Sequence, residues 1–125
     1  MKTILIVENE LLVLDYMVKT LLNAGYDVYE AKHGRQALNV IEMLDADLVI
    51  VDLVKPEMEG AELINKIKRM NQRDVKIVAM TNGTIIDTCT YLKLTDKSSV
   101  DAVLKKPFTT KELLAAIHQT ELQVS

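Results

Sequence analysis

A single cysteine, Cys89, is all the thiol this chain carries. It cannot form an internal disulfide, which suits a reducing compartment and leads to the expectation of a cytoplasmic location. No apolar run approaches the ~18 residues a membrane span needs, so no membrane partner is expected. The first residues, Met1-Lys2-Thr3-Ile4, are basic and then apolar, but acid follows at Glu8 without a small-residue cleavage site, so they are not read as a signal peptide. There is no G-x-G-x-x-G and no Walker loop. No Ser/His/Asp or Cys/His set stands in register, which leaves a hydrolase without its machinery. His33 and His118 lack metal-ligand spacing. Nor is there an excess of one charge: fifteen basic and eighteen acidic residues leave −3, which argues against direct nucleic-acid binding through bulk charge. Linkers, low-complexity tracts and internal repeats are also missing.

What remains is an ordinary globular composition, 49% apolar and 26% charged over 125 residues. That length suits one domain, residues 1–125, and buries roughly two-thirds of the unfolded surface without disulfide or metal. Few residues follow the last helical pattern, so no attached output domain is expected within this chain.

Short apolar runs alternate with amphipathic stretches. The runs are Thr3–Val7, Asp27–Ala31, Asp47–Val51, Lys76–Met80 and Asp101–Leu104. The first, third and fourth are nearly continuous in Val, Ile and Leu, as strands covered on both faces should be. Leu11, Leu14, Val18, Leu21 and Leu22 follow helical spacing, and Gly25 is placed to end that helix. Gly34 precedes a pattern with Leu38, Ile41 and Leu44, and Gly60 one with Leu63, Ile64 and Ile67. Thr84–Thr95 holds Ile85, Cys89 and Leu92 but four threonines and no strong cap; it is read as a fourth helix. Thr109 or Thr110 can cap a last helix carrying Leu113, Leu114 and Ile117. Five repeats of strand then helix imply an α/β fold with a parallel, doubly wound sheet, because parallel strands need crossover helices.

In such a sheet, chemistry gathers outside the C-terminal ends of the central strands. Glu8, Asn9 and Glu10 follow the first run, Asp52 ends the third, Thr81 the fourth, and Lys106 the fifth. Acids and one lysine from different strands thus converge on one crevice. Pro107 favours an extended backbone at Lys106 and is compatible with a cis bond.

These residues resemble the receiver domain of bacterial two-component response regulators. The resemblance covers nearly the whole chain and rests on Ile4-Leu5-Ile6-Val7-Glu8-Asn9-Glu10, the block Asp52 to Gly60, Ala79-Met80-Thr81, and Lys105-Lys106-Pro107-Phe108. Each motif alone is weak; their order and spacing together are specific. The resemblance implies a flavodoxin-like five-stranded sheet in the order 2-1-3-4-5. It implies that Asp52 accepts a phosphoryl group from a sensor histidine kinase or phosphotransfer protein, in a protein that catalyses only this change on itself. It implies Mg²⁺ held by Glu8, Asn9, Asp52 and the backbone carbonyl of Val54. Lys106 would pair with the phosphoryl group, and Thr81 would donate its hydroxyl to it. The face of the fourth helix, fifth strand and fifth helix would then switch, addressing a downstream protein or a fused output domain. A homodimer would be sought on the same face.

Three departures accompany the resemblance. Receivers usually carry a second acid where Asn9 stands, so weakened Mg²⁺ binding and slower phosphorylation are expected. Val103, three positions before Lys106, replaces the usual Tyr or Phe ring. Thr95-Asp96-Lys97-Ser98-Ser99 replaces the familiar Gly-Ala turn. These favour an alternative, a pseudo-receiver acting as a constitutive interaction module. A flavin or nucleotide binder of flavodoxin type is a second alternative, but Glu8-Asn9-Glu10 would repel a phosphate where such sites offer backbone amides.

Other conspicuous residues have plainer readings. Lys66, Lys68, Arg69 and Arg73 read as the solvated face of the third helix, Cys89 as a helix-face residue without a charge partner, and Lys105 as solvated. Met17, Met43, Met58, Met70 and Met80 read as core or surface filler.

Overall fold

Each apolar run of the sequence pairs with another as a strand. In the computed structural model the described residues are 2–53, 60–70, 75–81 and 100–122. Their order is β1 (Thr3–Val7), α1 (Leu11–Asn23), β2 (Asp27–Ala31), α2 (Gly34–Met43), β3 (Leu48–Asp52), α3 (Gly60–Met70), β4 (Lys76–Thr81), β5 (Ala102–Lys105) and α4 (Thr110–Leu122). The fifth helix of the sequence reading is α4. The helix expected at Thr84–Thr95, and with it Val54, Met58, Arg73, Cys89 and the 95–99 stretch, lie outside the described residues.

All strand pairs are parallel, in the order β2-β1-β3-β4-β5. Side chains alternate across the sheet, so each strand feeds two cores. Ile4, Ile6, Leu48, Ile50, Val78 and Met80 face α1 and α4, meeting Leu14, Met17, Leu21, Leu113 and Ile117. Leu5, Val7, Val49, Val51, Ile77 and Ala79 face α2 and α3, meeting Ala37, Ile41, Leu63, Ile64 and Ile67. Burial on both faces is why β1 and β3 read as unbroken apolar runs. The edge strands are wetter: β5 alternates buried and exposed, and only Ala31 of β2 is fully buried. Truncating a central residue such as Ile50 to Ala would cost ~2–5 kcal/mol.

β1 and β2 keep the bounds read from the sequence and β4 gains one residue at its end, while β3 and β5 shift by one residue, for a physical reason. Asp47 and Asp101 stand just before β3 and β5, and their side chains accept backbone N–H bonds from neighbouring strands. Asp47 takes Thr3 N at 2.9 Å and Asp101 takes Ile77 N at 2.8 Å. The paired segments therefore begin one residue later, and Asp52, Thr81 and Lys105 become the last residues of their strands.

The helix ends follow their capping residues. Gly25 has φ +97°, and its N–H bonds Leu22 O while that of Tyr26 bonds Leu21 O, the paired closure a left-handed residue permits. Gly34 is the first residue of α2, not its predecessor, and His33 caps it by accepting from Gln36 N at 3.1 Å. At α4 the choice falls on Thr109, which accepts from Glu112 N at 3.1 Å while its own N–H bonds Glu112 at 2.9 Å. On α1 the spacing misplaces two residues: Leu11 and Leu22 are exposed, and Met17 is fully buried instead. Among the described residues, no helix is long and apolar enough to cross a membrane.

Candidate functional site

Four strands deliver side chains to one edge of the sheet. Glu8 leaves β1, its N–H still held by Ala31 O at 3.0 Å. Asp52 ends β3 beside Met80 of β4, and Thr81 lies one residue further along β4. Thr81 O accepts Lys106 N at 2.7 Å, so the backbone at Lys106 is pinned to the same edge. The Lys106-Pro107 peptide is cis. Glu8, Asp52 and Thr81 are all buried, although all are polar.

Burying two carboxylates side by side is costly unless a cation joins them. Lys106 is that cation. Its Nζ lies 2.5 Å from Glu8 Oε1 and 3.0 Å from Asp52 Oδ2, and its side chain is 17% exposed. Glu8 Oε2 accepts Glu10 N at 3.1 Å. The buried Oε1 is paired with the Lys106 ammonium as a close ion pair.

The charges respond to this setting. Burial pushes the Glu8 carboxyl up from its ordinary value; Lys106 pulls it back, and the neighbouring Asp52 adds to the rise. For Lys106, burial alone favours the neutral amine, but the bonds to Glu8 and Asp52 outweigh it and hold the ammonium above its ordinary range.

The structure thus brings Glu8, Asp52 and Lys106 into contact and sets Thr81 at the same edge. Asn9 is at that edge but exposed, and Val54 lies outside the described residues. Among the described residues, no three His, Cys, Asp or Glu side chains gather as a metal cluster. Two buried carboxylates are hard oxygen donors, and that donor chemistry suits Mg²⁺.

Sequence reasoning missed the flank of this site. Beside Lys106 is a cavity of about 520 Å³ lined by Leu12, Val13, Tyr16 and Phe108. The rings of Tyr16 and Phe108 lie 6.5 Å apart, and Tyr16 Oη bonds Thr110 Oγ1. The i, i+4 pair Leu12 and Tyr16 was the available signal, hidden because the apolar spacing of α1 was read along its other face. Of the basic residues of α3, Arg69 is exposed as the solvated face requires and Lys66 pairs with Glu62 at 3.3 Å, but Lys68 is half-buried and donates to Val75 O at 2.6 Å. Met43 and Met70 are exposed while Met80 is core.

Comparison with known proteins agrees with this arrangement. The family model of the response regulator receiver domain matches residues 4–118. A probable transcriptional regulator, ycf27, of Cyanophora paradoxa is 30% identical over 117 residues; the match takes in 93% of this chain but 46% of that protein, so the chain spans about half its length. The chemotaxis protein CheY4 of Vibrio cholerae superposes with a TM-score of 0.85 at 26% identity, over 96% of this chain and 98% of that one. The response regulator TrrA of Thermotoga maritima, solved in complex with Mg²⁺ and BeF, superposes with a TM-score of 0.81 at 26% identity, over 96% and 99% of the two chains.

Proposed function

The chain belongs to the response regulator receiver domains, and on that premise we propose that it is a phosphoryl switch whose acceptor is Asp52. Receiver domains work with histidine kinases and output domains in two-component systems, and are signalling modules more than enzymes. The observation that carries the reading is the contact of one ammonium with two buried carboxylates, Lys106 Nζ on Glu8 and Asp52.

An Asp52 oxygen attacks the phosphorus of a phosphohistidine on the kinase or phosphotransfer partner. The P–N bond breaks, its electron pair stays on the imidazole, and an acyl phosphate forms on Asp52. Lys106 then follows the new charge, exchanging a carboxylate partner for a phosphoryl oxygen, and the Thr81 hydroxyl donates to another. Glu8, Asn9 and Asp52, with the carbonyl of Val54, are the residues that would hold Mg²⁺; bound there, it would neutralise the approaching anions. With Asn9 neutral, that affinity is expected to be below that of receivers with two acids. The output face would lie over β5 and α4, where Val103 is 54% exposed and offers no ring to swing.

Incubation with Mg²⁺ and acetyl phosphate, followed by intact mass, tests the reading with Asp52→Ala as control. One added phosphoryl group, absent in the control, is expected. No addition, even at high Mg²⁺ or with Mn²⁺, would favour the pseudo-receiver, the second reading that Asn9 and Val103 support. A flavin or nucleotide site gains nothing here, since the buried Glu8 carboxylate occupies the loop where a phosphate would need amides.

A further inference from the structure

The cavity flanking the site has walls of opposite charge. One wall is Lys106, whose ammonium bonds Asp52 Oδ2 at 3.0 Å, so the cavity adjoins the acceptor carboxylate through that side chain. Glu10 lines it as well. The Glu10 side chain makes no capping bond at the start of α1 and is exposed, while its backbone N–H, bonded to Glu8 Oε2 at 3.1 Å, fixes its place beside the site. The rest of the wall is largely apolar, with the tilted rings of Tyr16 and Phe108 centred 6.5 Å apart and the Tyr16 hydroxyl tied to Thr110. The volume of about 520 Å³ falls within the ~300–1,000 Å³ of small-molecule sites.

These walls discriminate among phosphoryl donors. A phosphoimidazole carries anionic oxygens at its phosphoryl end and, once protonated, a cationic aromatic ring at the other. The ammonium side of the cavity suits the first. The Glu10 carboxylate and two aromatic rings suit the second, through charge and cation–π attraction. The Lys106 charge does not oppose the ring, because Glu8 and Asp52 already offset it. Acetyl phosphate brings no cation, and its leaving group is an anion that Glu10 repels.

We propose that Glu10, Tyr16 and Phe108 form a seat for the departing ring of an N-phosphorylated imidazole, which makes this chain selective for phosphoimidazole donors over acyl phosphates. The inference rests on Asp52 as the acceptor and adds where the leaving group sits. An Asp52 oxygen bonds to phosphorus, the P–N bond breaks, and its electron pair stays on the ring nitrogen. The ring, already protonated at its other nitrogen, leaves as neutral imidazole and needs no further proton. Glu10 accepts that second N–H and holds the ring in the protonated form that leaves readily, so it is a specificity-determining residue. Acetyl phosphate remains a donor, without help from the seat.

The test compares phosphorylation rates with phosphoimidazole and with acetyl phosphate at one Mg²⁺ concentration, by intact mass, in the wild type, Glu10→Gln and Glu10→Lys. The ratio of the phosphoimidazole rate to the acetyl phosphate rate is expected to fall about threefold in Glu10→Gln, the scale of losing one exposed charge pair, and about tenfold in Glu10→Lys, where attraction becomes repulsion. A ratio that keeps its wild-type value in both variants overturns the seat and leaves Asp52 as the acceptor. Modification by neither donor in any of the three proteins overturns both. A binding readout needs no phosphoryl transfer. Phe108 is the one phenylalanine of the chain, so its ring resonances are identified directly. They should shift on titration of the wild type with dimethylimidazolium, a permanent ring cation, and shift less in Glu10→Lys. Phe108 resonances that stay fixed in the wild type also overturn the proposal.

Discussion

Lys106 Nζ stands 3.0 Å from Asp52 Oδ2, joining the end of β5 to the end of β3 through a side chain that is only 17% exposed. The stability of the fold should therefore depend on pH through this contact and its neighbour Glu8. Lys106 is raised from 10.5, so its contribution is complete below that value and lost only as pH rises through the still higher folded value. Glu8 is raised from 4.5, so the folded state holds its proton better than the unfolded one. That contribution is present below 4.5 and lost as pH rises through the folded value, above which the charged carboxylate leans on Lys106. Lys106→Met in metal-free buffer should cost roughly 3 kcal/mol at neutral pH, the scale of breaking a buried pair. The loss should shrink as pH falls toward the carboxylate range and Glu8 takes up a proton. Urea unfolding of both proteins at neutral and acidic pH checks this; an equal loss at both would sink it.

Tyr26 Oη bonds Glu121 at 2.9 Å, tying the turn after α1 to the end of α4 across the chain. Burial, then the bond and charge of Glu121, push the phenol up to about 12. One of the four tyrosines should accordingly ionise late in an absorbance titration. Because the folded value is the raised one, the contribution to stability is complete below 10 and is lost as pH rises through about 12. Tyr26→Phe should remove the late component and leave the other tyrosines unchanged; a late component that survives in the variant would assign it elsewhere.

How far the sequence leads is clear from β3 and Lys106. Leu48–Val51 reads as a buried strand because helices cover both of its faces, and Asp52 stands out as the carboxylate ending it. Strand order and site roles followed from resemblance, since periodicity does not say which strands are neighbours. The sequence also named Glu8 and Lys106, but gave them separate tasks, a metal ligand and a phosphoryl partner. Their 2.5 Å contact depends on the parallel register of β1, β3, β4 and β5, which no local pattern encodes. The Tyr26–Glu121 bond was invisible for the same reason. Leu11 and Leu22 misled because three-four spacing admits more than one face, and only packing shows which face meets the sheet.

The reciprocal bonds of Thr109 and Glu112 start α4 three residues after Lys106. Thr109→Ala leaves the N–H of Glu112 without its side-chain acceptor and should cost ~1 kcal/mol. For a domain of this size that corresponds to a melting temperature lower by roughly 3–6 °C. Thr110→Ala removes instead an exposed contact with Tyr16 and should cost less. Thermal unfolding of the two variants ranks them; the reverse order would show that the Tyr16 contact, and not the cap, fixes this helix end.

Gly60 connects fold to site most directly. A Cβ added there would lie 2.5 Å from Leu53 Cδ2, 2.7 Å from Leu53 Cα and 3.0 Å from the carbonyl oxygen of Asp52. The Leu53 side chain can turn aside, but its Cα belongs to the backbone that follows β3, so the clash is relieved only by moving α3 away or by moving the end of β3. Gly60→Ala should therefore destabilise by about 1–3 kcal/mol, the usual cost of overpacking a closed contact. Because Asp52 is the residue next to Leu53, the same strain should reach the acceptor, and phosphorylation by acetyl phosphate should slow even under conditions where the variant is fully folded. Ile50→Val, a loss of one methylene in the core at a similar cost of ~0.5–1.5 kcal/mol, removes volume within β3 without pressing on Leu53 and should leave the phosphorylation rate near that of the wild type. Unfolding and intact-mass time courses on both variants separate the possibilities. A Gly60→Ala protein that loses stability but reacts at the wild-type rate would mean that α3 yields and β3 holds, so that the close approach at Gly60 serves packing alone.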